Sequence, residues 1–212
     1  MIIAIDGTLA SGKGTIARRV AAWYGLPHMD TGRLYRATAV SALRQGVDFG
    51  DAAAMAAVAR SLGLNDFDEA ELRTREAGQA ASKAAAIQPV RDALLELQQA
   101  FAAQPGGAVL DGRDIGTVIC PDADVKLWID ADVAVRAARR LKEFEASGER
   151  LTLDTMIASL EERDARDRNR PNAPMAKAAD ADLIDTSRLS IDAAVERACA
   201  IIDAARARKE TP

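Results

Sequence analysis

The segment Ile2-Ile3-Ala4-Ile5-Asp6 runs straight into Gly7-Thr8-Leu9-Ala10-Ser11-Gly12-Lys13-Gly14-Thr15. This junction constrains the fold more than any other stretch of the chain. A short unbroken apolar run reads as a strand buried on both faces, as in a parallel sheet. Gly7 and Gly12 admit backbone conformations closed to other residues, so the loop can wrap a chain of phosphates with its N–H groups pointing inward. The helix that follows, from about Lys13 to Tyr24, brings the positive end of its dipole to the same spot. Lys13 adds a mobile charge for the outer phosphates, and the hydroxyl of Thr15 can help hold Mg²⁺.

The loop fits the Walker A pattern with one departure. Gly14 follows the lysine, and the hydroxyl comes one residue later, at Thr15. Mg²⁺ is then expected to be held mostly through waters and phosphate oxygens, as this ion prefers. A plain glycine-rich turn is the alternative. Strand, loop, lysine and helix in register argue against it. The loop implies a nucleoside triphosphate site and leaves the reaction open.

The chain has 212 residues, 49% of them apolar and 28% charged, which suits one α/β domain. A net charge of −4 argues against a general binder of nucleic acid or anionic membrane. No apolar run is long enough to span a membrane, and the N-terminal run lacks the charged lead of a signal peptide. Cys120 and Cys199 are far apart and show no metal-ligand spacing, which fits a reducing compartment. The expected location is the cytoplasm. With no obvious pairing helix or apolar seam, the expected state is a monomer.

Helices are expected at about 31–44, 51–62, 69–86, 88–103, 132–146, 153–169 and 190–207, and the last residues, 208–212, are expected to fray. Extended stretches are expected at 26–29, 108–111, 125–130 and 183–185. Such alternation predicts a three-layer α/β/α fold around a parallel sheet of five strands, the first being 2–6. Trp23, Phe101, Trp128 and Phe144 read as packing residues. His28, the single histidine, reads as structural or surface.

Asp111-Gly112-Arg113-Asp114-Ile115-Gly116-Thr117-Val118-Ile119 lies at the carboxyl end of the second long strand, where open α/β sheets place ligands. Asp111 has the position of a carboxylate that orients hydrated Mg²⁺. Further on, Arg163, Asp167 and Arg170 share a helix face by their spacing of four and three. The plain reading of that segment is a solvated helix laced by Glu162–Arg166, Arg163–Asp167 and Asp164–Arg168 pairs. Its exclusive use of arginine points instead to phosphate. Arg136, Arg139 and Arg140 form a further basic run on the preceding helix, with Arg136 and Arg140 on one face. Contact with ATP and a surface helix with ordinary charges are both open readings.

Four segments in order, Gly7–Thr15, Asp30-Thr31-Gly32-Arg33-Leu34-Tyr35-Arg36, Asp111–Val118 and Glu162–Arg170, resemble bacterial cytidylate kinases over nearly the whole chain. The resemblance implies a P-loop nucleoside monophosphate kinase that transfers the γ-phosphate of ATP to CMP or dCMP. Gly7 to Thr15 would bind ATP, with Mg²⁺ near Thr15 and Asp111. Thr31, Tyr35, Arg36, Ser82, Arg91, Arg113, Asp114 and Asp167 would bind CMP. Lys13, Arg113, Arg163 and Arg170 would act on the transferring phosphate. The chain would be a single domain, 1–212, with an acceptor-binding part at 30–105 and a lid at 142–172. The family's usual insert is here reduced to an alanine-rich stretch at about 47–86, expected to be helical. Thr8 stands where the family commonly has Pro, which is expected to loosen the loop slightly. Kinases for UMP or dTMP, and a P-loop switch that hydrolyses its nucleotide, remain as rivals. Against the switch, the chain has no guanine-reading Asn-Lys-x-Asp.

Overall fold

The computed structural model describes residues 1–63, 66–146, 148 and 150–210. Residues 64 and 65 of the expected insert, 147 and 149 of the expected lid, and 211 and 212 at the end lie outside these. The strands are β1 (Ile2–Gly7), β2 (His28–Asp30), β3 (Ala108–Gly112), β4 (Val125–Asp130) and β5 (Asp182–Asp185). They form one parallel sheet in the order β2-β3-β1-β4-β5.

Ile3 and Ile5 of β1 face α1 (Lys13–Tyr24) and α9 (Ile191–Glu210), packing with Ile16, Val20, Ala198 and Ile202. Ala4, on the other face, packs with Leu110, Ala102 and Ile115. The two-residue alternation of a strand thus feeds both helical layers from one apolar run. Beside the sheet lie α2 (Thr31–Arg44), α3 (Ala52–Arg60), α4 (Glu69–Leu72), α5 (Arg75–Ala84) and α6 (Gln88–Ala102). Most of these pack through small residues such as Ala39, Ala59, Ala81 and Ala84, together with Leu34, Met55 and Leu94. Alanine favours helix, and its short side chain lets helices approach closely. The remaining helices are α7 (Val133–Ala146) and α8 (Leu153–Arg168), which share Ala137, Phe144, Met156 and Leu160.

Four details depart from the sequence expectations. The helix expected at 69–86 is split, because Thr74 caps α5 through the amide of Ala77 and so ends α4 just before it. The helix expected at 51–62 closes at Arg60, with Ser61 as its C-cap. The end expected to fray continues α9 as far as Glu210. Trp23 is 72% exposed rather than packed.

The topology positions the site. From β1 the chain crosses to β2, returns to β3 between them, then passes to β4 on the other side. Strand order therefore reverses about β1, and the loop leaving β1 sits at the point where open sheets bind ligands. Register aligns Asp111 with both Ile5 and Asp30, and Gly7 with Ile129. A Cβ on Gly7, whose φ is +155°, would lie 1.9 Å from the carbonyl oxygen of Ile129. Only glycine lets the chain turn out of β1 there.

Candidate active site

The loop from Gly7 to Thr15 is held by its carbonyls. Ser11 donates its hydroxyl to the Thr8 carbonyl (3.0 Å), Arg136 donates to Leu9 (3.2 Å), and Thr186 donates to Ser11 (2.8 Å). With carbonyls tied outward, loop amides are left to face a ligand. Gly12 opens α1 at φ +90° with no side-chain cap. Ala10 sits at φ +61°, an uncommon conformation for a residue with a Cβ. The Thr8 hydroxyl donates to Asp130 Oδ1 at 2.6 Å, which ties this position to the end of β4.

Lys13 Nζ reaches the Thr8 carbonyl at 3.3 Å. Burial lowers its pKa from 10.5 to about 7, helped by the Arg113 and Arg163 guanidiniums and opposed by Asp111 and Asp30. The four residues that perturb Lys13 come from β2, β3, the turn after β3, and α8. They place the loop lysine within electrostatic reach of the arginines expected on the acceptor side. Arg163 is likewise pushed down to about 10 by burial, with Arg113, Arg36 and Arg140 adding to the shift and Asp167 opposing it.

Asp111 is buried at the end of β3, with Oδ1 2.7 Å from His28 Nε2. Its Oδ2 faces the start of α1, 3.7 Å from where a Cβ on Gly14 would lie. Thr31 donates to the Asp111 carbonyl at 2.8 Å. Thr15 is exposed, and its hydroxyl accepts from Arg18 at 3.4 Å.

Around this point the chain's own carboxylates hold its arginines. Arg36 donates to Asp30 (2.7 Å) and Arg113 to Asp167 (3.3 Å). Ser82 donates to the other Asp167 oxygen (3.4 Å), and Arg163 to the Gly78 carbonyl (2.9 Å). Farther in, Arg91 pairs with Asp114 and lies 5.7 Å from the ring centroid of Tyr35, while Arg170 stands 3.7 Å from the other Asp114 oxygen. Ser82, Arg91, Asp114, Asp167 and Arg170 are all buried. Burial raises the Asp114 pKa, opposed by Arg91 and Arg170. A cavity of about 260 Å³ opens between α5, α7, α8 and Leu9, lined in part by Lys83, Arg140, Phe144 and Arg163.

The family model for cytidylate kinase matches residues 3–204. The chain belongs to the cytidylate kinase family. A cytidylate kinase of Methylocella silvestris is 53% identical over 97% of this chain and 95% of its own length. One from Xanthobacter autotrophicus is 55% identical over 98% of this chain and 99% of its own. In fold, the chain is similar to an uncharacterized protein from Eubacterium ventriosum, with a TM-score of 0.56 at 16% identity over 96% of this chain and 98% of that one. This member of the family is thus a phosphotransferase of the nucleoside monophosphate kinase type.

Several functional-looking residues escaped the sequence reading of this cytidylate kinase-family chain. Asp6, Asp30 and Asp130, like Asp111, each end or nearly end a strand at the ligand edge of the sheet. The signal that singled out Asp111 is repeated at the other three. Asp6 accepts the amides of Ile115 (2.8 Å) and Gly116 (2.7 Å), anchoring a wide π-helical turn at Ile115–Ile119. His28 is a partner of Asp111 rather than a surface residue. Arg136, expected to meet nucleotide or solvent, is 4% exposed and pairs with Asp164. Of the expected surface pairs on α8, Arg166–Glu162 forms, whereas Arg163 reaches Gly78 and Asp164 reaches Arg136.

Proposed function

We propose that this chain transfers the γ-phosphoryl group of ATP to CMP or dCMP, giving ADP and CDP or dCDP. The carrying observation is the set of carboxylate-held arginines, Arg36 on Asp30 and Arg113 on Asp167, with the buried Arg91–Asp114 pair next to Arg113 at the edge of the sheet where the phosphate loop leaves β1. Gly7 to Thr15 hold the ATP phosphates. Residues 30–105 provide the acceptor side, and 142–172 the lid.

An acceptor phosphate is largely dianionic near neutral pH, because its second pKa is about 6. It needs no general base. Catalysis reduces to alignment and neutralisation of charge. Arg36 and Arg113 take the acceptor phosphate, exchanging Asp30 and Asp167 for it. Lys13 and Arg163 neutralise charge on the group in flight. Arg170, expected there from the sequence, stands instead 3.7 Å from Asp114 at the base end. Asp114 accepts the cytosine amino group, with Arg91, Tyr35 and Ser82 framing the base and Thr31 closing the site beneath it. Uracil presents a carbonyl where cytosine has its amino group, leaving Asp114 opposed by another acceptor.

The donor set fits Mg²⁺. Asp111 presents Oδ2 toward the loop while His28 holds Oδ1, and a hard cation that keeps its waters suits one carboxylate and the Thr15 hydroxyl. Asp111, fixed by His28, and Thr15 would hold the ion through its waters, and it would supply positive charge against the phosphates.

Among the described residues no helix is long and apolar enough to cross a membrane, and both cysteines are free and buried. A monomer in the cytoplasm, without a nucleic-acid partner, is the reading that fits. The deciding experiment offers CMP, dCMP, UMP, dTMP and AMP with ATP and Mg²⁺ in a coupled ADP-release assay. CMP and dCMP should be the best acceptors, with little ADP formed when no acceptor is present. A preference for UMP or dTMP, or acceptor-independent hydrolysis as the main activity, would overturn the assignment.

A further inference from the structure

The Arg136 guanidinium spends its three arms on three different elements. Nε donates to the Ala131 carbonyl at the end of β4 (2.9 Å), Nη1 to the Leu9 carbonyl of the phosphate loop (3.2 Å), and Nη2 to Asp164 Oδ2 on α8 (2.8 Å). Arg136 and Asp164 are 4% and 2% exposed, so the link is dry. Leu9 is tied to the same place a second time, because its side chain packs on the Ala137, Phe144, Met156 and Leu160 cluster shared by α7 and α8.

Asp164 stands beside Arg163 and less than one helical turn before Asp167. Arg163 reaches α5, and Asp167 holds Arg113 and Ser82. The helix that carries acceptor-side groups is therefore fastened to the loop at Leu9, while Arg139 of α7 reaches the Ser11 carbonyl of that loop at 3.4 Å. Asp164 Oδ1 is buried with no donor within reach among the described residues. A buried acceptor left unpaired disfavours the arrangement that leaves it so.

Resting on the functional reading above, we propose that Leu9 and the Arg136–Asp164 pair set the position of α8 according to what the loop holds. Arg136 and Asp164 are then positioning residues for phosphoryl transfer. Filling the loop moves or stiffens the Leu9 carbonyl and side chain, and α8 follows as a rigid helix. Arg163 and Asp167 are thereby aligned for the acceptor only when the donor is in place.

The test is CMP affinity of the full-length protein by calorimetry, with and without a non-hydrolysable ATP analogue. In the unmodified protein the analogue should tighten CMP binding at least fivefold. In Asp164→Asn the effect should fall below twofold, with kcat at least tenfold lower and KM for ATP changed by less than threefold. The double variant Arg136→Met/Asp164→Leu replaces the buried pair with apolar groups of similar size, which folds tolerate. It should show the same loss of coupling. Hydrogen exchange on the unmodified protein provides a check that needs no variant: the analogue should slow exchange across 153–168. Equal tightening in variant and parent, no tightening in the parent, or unchanged exchange in α8 would overturn the inference. A parent that still phosphorylates CMP in those cases leaves the functional reading intact, whereas one that accepts no cytidine nucleotide removes both.

Discussion

Two side chains on the turn after β3 would divide the work of recognition under the proposed function. Arg113, assigned there to the acceptor phosphate, has Nε on Asp167 and Nη1 on the Gly112 carbonyl. Asp114 faces inward to Arg91 and Arg170. Replacing Arg113 with Ala removes a planar donor from the charge developing in the transition state. Turnover with CMP should drop about 100- to 1000-fold, the loss typical of one such donor. Affinity for an ATP analogue should change by less than threefold, because Arg113 is not part of the loop. Equal losses in both measurements would contradict the role. Asp114→Ala should act on selectivity instead. Losing the acceptor for the cytosine amino group should lower the CMP-to-UMP ratio of kcat/KM about tenfold or more. An unchanged ratio would remove Asp114 from base reading.

At the scale of elements, the β1–loop–α1 unit shows which glycines are structural. Gly7 and Gly12 both have positive φ, but their surroundings differ. A Cβ on Gly7 would enter the Ile129 carbonyl, whereas one on Gly12 meets nothing within 4 Å. Gly12→Ala should therefore lose only the backbone preference, about 1–2 kcal/mol. Gly7→Ala must also push β1 from β4 and should lose ~3 kcal/mol or more. Urea midpoints of the two variants check the order. Element legibility follows the same physics. The runs at 2–6, 108–111 and 125–130 were legible because they are short, rich in β-branched or bulky apolar residues, and bounded by glycine, proline or aspartate. The break between α4 and α5 was not, because alanine-rich spacing continues across it and the deciding term is one hydroxyl cap at Thr74. Motif residues of the site stood out by type and spacing. Arg136 read as a nucleotide contact or a surface charge, and Asp164 as a partner of Arg168. Their pairing with each other was not legible, because a link between two helices looks in sequence like two separate charges. His28 likewise became informative only through register, which sets it beside Val109 and within reach of Asp111.

Over the whole molecule, the buried Asp6 and the half-buried Lys13 place stability and function in opposition. Burial raises the Asp6 pKa from 3.8 to about 7, against the two amides that favour its charged form. A carboxyl raised on folding contributes fully below pH 3.8 and loses that contribution as pH rises to about 7. Lys13 runs the other way. Lowered from 10.5 to about 7, it weakens the fold wherever the unfolded chain would hold its proton and the folded chain would not. That penalty is absent above pH 10.5, grows as pH falls, and is complete near pH 7. Both groups thus act hardest against folding in the physiological range, at the site that binds polyanions. Lys13→Met should therefore be more stable than the parent at pH 7 without nucleotide. A 3.5-unit shift corresponds to ~5 kcal/mol as an upper scale, and the advantage should shrink steadily toward pH 9.5. Added ATP should reverse the order at pH 7, because the phosphates restore the charge on Lys13 and stabilise only the parent. Denaturant midpoints at the two pH values, with and without ATP, measure all of this. An advantage independent of pH would mean that the lysine is not held at low pKa by its burial among Arg113 and Arg163, and that the two anion-binding groups stand farther apart than the transfer requires.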